Sequence, residues 1–164
     1  MEFKCTVCSQ THDSIPHIGA DFPDHYLAMS ESERKTRCEI GSDTCIIDGR
    51  DFLVRGVIEI PVIGCPEIFG WGVWVSLKKE NFDRYLETFE GDAWPAMGPF
   101  FGWLCTNIGY YKKETLSLKT AVHIRREGLR PRIEVAPVKH PLARDAEKGI
   151  SVQKVFEILH YYQG

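Results

Sequence analysis

No run in this chain approaches the roughly 18–20 consecutive apolar residues that a membrane-spanning helix needs, and the start, MEFKCTVC, has no basic stretch leading into an apolar core. Neither a membrane span nor an export signal is expected, and the chain reads as soluble and cytosolic. Charge of one sign is not in excess: 20 Lys and Arg against 23 Asp and Glu leave −3. That balance excludes a chain-wide electrostatic grip on nucleic acid or on a membrane surface. There is no nucleophile elbow, phosphate loop or paired-carboxylate spacing, which removes the enzyme classes that those patterns announce. Internal repeats and low-complexity tracts are also missing. Six cysteines without an export signal are expected as thiols rather than as three disulfides.

What is present is enough apolar material for one domain. The 164 residues are 43% hydrophobic, sufficient for a sizeable core but not for two. The organising stretch is Phe52 to Leu77. Its two arms, Phe52–Ile63 and Phe69–Leu77, are rich in β-branched and aromatic residues and are separated by Gly64, Cys65 and Pro66, the signature of a β-hairpin. Neither arm has a fully polar face, so both are expected as central strands covered on two sides. Asp48-Gly49 predicts a tight turn between a short strand, Cys45–Ile47, and the first arm.

Helices are expected over Asp24–Met29 and from the Ser30 capping box to about Cys38. A third is expected from Leu77 to Phe89, with Ser76 as cap. The closing helix is capped by Ser151 and buries Val152, Val155, Phe156, Leu159 and Tyr162. Phe100–Cys105, Thr115–Arg125 and Arg132–Ala136 read as further strands. Residues 91–99 read as a loop, and 137–149 as a loop with one helical turn. The fold class that follows is α+β: a mostly antiparallel sheet of about six strands with packed helices, residues 23–164, and a small N-terminal appendage, residues 1–22.

Cys5-x2-Cys8 is the sharpest local pattern, because two-residue spacing lets both thiolates face one point, as a tetrahedral zinc site requires. It is half a site. His12, His17, His25, Cys38 and Cys45 compete for the rest, with His12 nearest in sequence and Cys45 preferred as third ligand because its strand leads into the central hairpin. The alternative is a pair of reduced, partly buried thiols. Redox chemistry is disfavoured, since Ser9-Gln-Thr-His-Asp-Ser does not open a helix. Arg55 and Glu59, four apart, share a strand face and need partners if covered. Residues 112–132 collect seven Lys and Arg against Glu114 and Glu127, a basic ribbon carrying His123 and Arg130.

Taken together, Cys5-x2-Cys8 with His12, Arg55-Gly56, Glu59-Ile-Pro61, Trp71-Gly-Val-Trp-Val-Ser76, Phe101-Gly-Trp-Leu104, Leu118-Lys119, His123, Arg130-Pro131 and His140-Pro-Leu-Ala143 resemble the bacterial family called domain of unknown function 2199, from Cys5 to about Ile158. The resemblance implies no activity. Family members place glycine after the second cysteine, which eases a positive φ there; this chain has Ser9.

Three functions remain on the sequence. The first is a non-catalytic protein-binding or accessory module with a structural zinc ion. The second is an enzyme acting on a small anionic ligand through His123 or His140 with Arg55 or Arg130, Glu59 being a further ligand-binding candidate. The third is a nucleic-acid binder using the 112–132 ribbon, with Tyr110 and Tyr111 available for stacking.

Overall fold

β-Branched and aromatic residues on both faces of one long hairpin set the architecture. A computed structural model describes residues 2–5, 8–88, 97–126 and 128–163. Along the chain run β1 (Phe3–Lys4), β2 (Thr11–His12), β3 (His17–Ile18), α1 (Asp24–Leu27), α2 (Glu31–Arg37), β4 (Cys38–Ile40), β5 (Thr44–Ile47), β6 (Asp51–Pro61), β7 (Ile68–Leu77), α3 (Lys79–Glu87), β8 (Phe100–Leu104), β9 (Lys119–His123), β10 (Arg132–Val135), α4 (Pro141–Lys148) and α5 (Val152–Gln163). None of these helices is long and apolar enough to cross a membrane.

β6 and β7 form the expected antiparallel hairpin, paired from Phe52↔Leu77 to Pro61↔Ile68. Each is longer than any other partner, so each divides its second edge. β5 takes the first part of β6, through Thr44↔Val54 to Ile47↔Asp51, and β10 takes Val57. On β7, β8 pairs with Val75 and Ser76 while β3 runs parallel beside Gly70 and Trp71. The strong twist of a long two-stranded ribbon then lets its two outer edges meet. The order β7-β8-β9-β10-β6 returns to β7, and five strands close into a barrel.

The sheet is mostly antiparallel as expected, but the expected count of about six strands is corrected to eight, five of which close into a barrel. Closure rests on the parallel contact Arg132↔Val57, where Val57 N–H donates to the Pro131 carbonyl at 2.9 Å. Gly56 permits it: a Cβ there would stand 2.6 Å from Ile133 Cδ1 and 2.9 Å from Pro131 O. Nothing in strand periodicity reports which edges meet, which is why the sequence shows the strands and not the closure.

Alternation sorts the side chains. Val54, Ile58 and Ile60 of β6 and Phe69, Trp71, Val73 and Val75 of β7 join Phe82 of α3, Leu142 of α4 and Phe156 of α5 in the main core. On the opposite face Leu53 and Trp74 pack with Cys45, Ile47 and Cys105, with Ala20, Met29, Cys38 and Ile40 against them, a second and smaller apolar cluster. Both faces of the hairpin are therefore covered, as its composition demanded. Phe3, Cys5 and Ile15 belong to the main core as well.

Local chemistry explains most element ends. Ser30 Oγ accepts from Glu33 N at 3.2 Å and the Glu33 carboxylate accepts from Ser30 N at 3.3 Å, the reciprocal box expected of α2. Asp48 and Gly49 both have positive φ, 56° and 61°, in the turn into β6. Ser151 Oγ accepts from Lys154 N and starts α5. Other expectations need correction. Ser76 stays in β7 and α3 begins after Lys78, which makes no side-chain cap. The strand expected over 115–125 shrinks to β9, because Thr115 is fully buried and its hydroxyl donates to Thr106 O and accepts from Ile108 N. Residues 141–148 form a full helix, since His140 caps it through Nδ1. Phe89 and the loop over 91–96 fall outside the described residues.

Candidate metal centre

β1 and β2 pair as Phe3↔His12 and Lys4↔Thr11, which leaves Cys5 and Cys8 in the connecting loop and brings His12 back beside them. The loop is tied by its own backbone: Cys5 N–H donates to Gln10 O at 2.8 Å and Ser9 N–H to Cys5 O at 2.9 Å. Cys8 N–H points at Cys5 Sγ, 3.5 Å away, the polarity that suits a thiolate. Ser9 adopts φ 62°, so the left-handed residue after the second cysteine is retained without glycine.

One ligand atom from each of Cys5, Cys8 and His12 lies within 4.8 Å of the others, close enough to bind a metal ion. Cys8 Sγ and His12 Nε2 are 3.6 Å apart. In a tetrahedral site with Zn–S of about 2.3 Å and Zn–N of about 2.0–2.1 Å, the S···N edge is about 3.6 Å. Cys5 is fully buried and the other two half-buried. The His12 ring stacks on Phe156 of α5, centroids 4.6 Å apart and planes inclined by 23°.

Cys45, the preferred third ligand, is not there. It lies in the outer cluster with Trp74 and Cys105, where burial first, then Cys38 and Cys105, pushes its thiol up to about 12. Its strand does lead into the central hairpin, but that side of β6 faces away from β1 and β2. The residue that sequence reasoning missed is His160 of α5, whose Nε2 is 3.3 Å from Cys5 Sγ. The only advance signal was its place one turn beyond Phe156 on an amphipathic helix.

The remaining candidates, Arg55, Glu59, His123, Arg130 and the buried His140, lie apart from one another, each engaged. Arg55 pairs with Asp21 at 3.0 Å, Glu59 with Arg125, and Arg130 with Asp43 at 2.9 Å. His123 Nε2 meets Glu134 at 2.9 Å across β9 and β10, and that hydrogen bond holds the Glu134 carboxyl below its ordinary range. His140 is buried under α4: Nδ1 accepts from Leu142 N, and Nε2–H is shared between the carbonyls of Lys113 and Glu114 at 3.1 and 3.0 Å. Those contacts assign the Nε2–H tautomer and spend both nitrogens. The geometry does not bring His123, His140, Arg55 and Arg130 to one point.

The basic ribbon is also answered in part from elsewhere in the chain. Glu59, Asp43 and Glu134 meet Arg125, Arg130 and His123, while Lys119 lies over the Trp103 ring. A count confined to 112–132 sees none of those acids. A buried polar hub was likewise missed: Tyr111 donates to Asp145 at 2.7 Å and Lys154 donates to the same carboxylate at 2.8 Å. Burial first, then Asp145, pushes the Tyr111 phenol well up, so it stays a donor.

No curated protein and no solved structure matches the chain. The family model described as uncharacterized protein conserved in bacteria, domain of unknown function 2199, matches residues 4–150, which covers the knuckle and all five barrel strands, and the chain belongs to that family.

Proposed function

We propose that this protein is a non-catalytic accessory or protein-binding module of the bacterial cytosol, a barrel whose N-terminal hairpin is fastened by one structural zinc ion. The observation that carries the binding reading is an aromatic pair on β8. Phe101 and Trp103 are 46% and 44% exposed, and their rings meet edge to face at 4.9 Å. Large aromatics standing in water beside a cation, here Lys119, are the residues that dominate protein interfaces. The donor set of two thiols and an imidazole supports zinc over harder cations. When bound, such an ion supplies a cross-link, and Cys5, Cys8 and His12 hold it.

The test compares immobilised wild-type protein with a Phe101→Ser/Trp103→Ser double variant. A bacterial protein retained by the first and lost by the second, at unchanged Tm, supports the reading. Retention of DNA or RNA that falls with salt and ignores the substitutions would favour the ribbon instead.

A second reading has its own observation. A depression of about 1170 Å³ beside α4 is lined by Lys113, Lys139, Arg144, Lys148 and Lys154, against Asp145 and Glu147. A small anionic ligand finds more unpaired positive charge there than at Arg55 or Arg130. Phosphate or citrate should then raise Tm, and Arg144→Gln/Lys148→Gln should abolish the rise.

A further inference from the structure

We infer that His160 is the fourth ligand of the N-terminal site, so that one zinc ion ties Cys5 to the last turn of α5, 155 residues away in sequence. The inference rests on the zinc reading above and adds to it the ligand that closes the shell.

Three observations carry it. First, His160 Nε2 already stands 3.3 Å from Cys5 Sγ, within a few tenths of an ångström of the tetrahedral S···N edge of about 3.6 Å. It lies outside the group of three mutual neighbours, so closure asks for its ring to move toward Cys8 and His12. Second, the helix is already docked in the required orientation. Phe156 and His160 are one turn apart and share a face of α5; Phe156 stacks on His12 and also meets Phe3, at centroid distances of 4.6 and 6.4 Å. The same helix face thus touches both strands of the hairpin and one of its thiols.

Third, the chemistry is incomplete without it. Structural zinc sites are closed by four protein ligands, and a fully buried Cys5 calls for a neutral centre. Two thiolates and two neutral imidazoles balance a divalent cation, the two thiol protons leaving to solvent on binding. The other candidates are placed elsewhere. Cys45 and Cys38 belong to the outer cluster, Cys65 Sγ accepts from Glu67 N, and His25 is exposed on α1.

The consequence for the fold is a clasp. A cross-link between residues 5 and 160 closes nearly the whole chain into one loop, the length at which restricting the unfolded state counts most. Metal loss should release hairpin and helix together.

The experiment uses untagged full-length protein, stripped with a chelator and titrated with cobalt(II), then competed with zinc. Wild type, His160→Ala, His160→Cys and the surface control His25→Ala are compared by visible spectrum and metal affinity. The inference expects a tetrahedral spectrum in wild type and His25→Ala, and at least a roughly tenfold loss of affinity with an altered spectrum in His160→Ala, since even outer-shell changes cost about 10–100-fold. His160→Cys should keep tight binding and gain thiolate-to-cobalt charge-transfer intensity, three thiolates replacing two. Wild-type affinity and spectrum in His160→Ala would overturn the fourth ligand and leave the zinc reading standing. No metal bound by wild type would overturn both. If His160→Ala does not fold, the cysteine variant decides: a three-thiolate spectrum supports the inference, and an unchanged two-thiolate spectrum overturns it.

Discussion

In the N-terminal hairpin two thiols and an imidazole converge within 4.8 Å, and no carboxylate of the described residues stands among them. Along the outer seam of the barrel the charged groups at Arg55, Glu59 and Arg130 instead meet partners of opposite sign, Asp21, Arg125 and Asp43, and His123 hydrogen-bonds Glu134. Both regions are built from residue types that do chemistry. What separates them is whether the donors point at one another's centre or at a private counter-ion. Convergence of like donors has no structural return unless something sits between them, whereas a paired charge has already found its use in holding the surface together.

That contrast can be broken at several points. The largest effect outside the hairpin should come from the seam's backbone rather than its charges. Gly56→Ala places a methyl 2.6 Å from Ile133 Cδ1 and 2.9 Å from Pro131 O, and should destabilise the protein by about 2–3 kcal/mol in denaturant unfolding. A neutral result would mean that β6 and β10 are not in contact. Ser9→Gly should act in the opposite direction. It relieves a left-handed residue at φ 62° and should raise stability by about 0.5–1 kcal/mol, but only if the knuckle is formed.

The charge pairs should matter less. A double-mutant cycle on Glu59→Gln and Arg125→Met should give a coupling of about 1 kcal/mol or below, as both groups remain partly open to solvent. Smaller still is the acid limb. Glu134 has its carboxyl held below the ordinary 4.5 by His123, so its contribution is present above that value and lost as pH falls through the depressed one. Glu134→Gln should therefore lower stability slightly above about pH 4.5 and converge with wild type at acid pH, flattening the acid limb, which thermal melts across pH would show.

How much of this was readable from sequence follows the reach of each interaction. The hairpin of β6 and β7, the Ser30 box, the Asp48-Gly49 turn and the Ser151 cap are set by residues a few positions apart, and period and spacing reveal them. Cys5, Cys8 and His12 belong to the same class, since eight residues contain all three. Barrel closure, by contrast, depends on Val57 meeting Pro131, and the fate of His140 depends on the carbonyls of Lys113 and Glu114. Neither contact leaves a periodic trace. Cys45 was misplaced for a related reason: adjacency to the central hairpin says nothing about which face of it a side chain occupies, and strand alternation sends Cys45 to the outer cluster. His160 was invisible because its partner lies at the opposite end of the sequence.

The most direct measurement of the account is elemental analysis of untagged protein, wild type beside Cys8→Ser, with melting curves for both. The account predicts about one zinc per wild-type chain, its loss in the variant, and a fall in stability of more than about 3 kcal/mol as the hairpin and α5 come apart. A wild-type protein that carries no zinc, and a variant that melts at the same temperature, would contradict it and leave Cys5 and Cys8 as ordinary thiols.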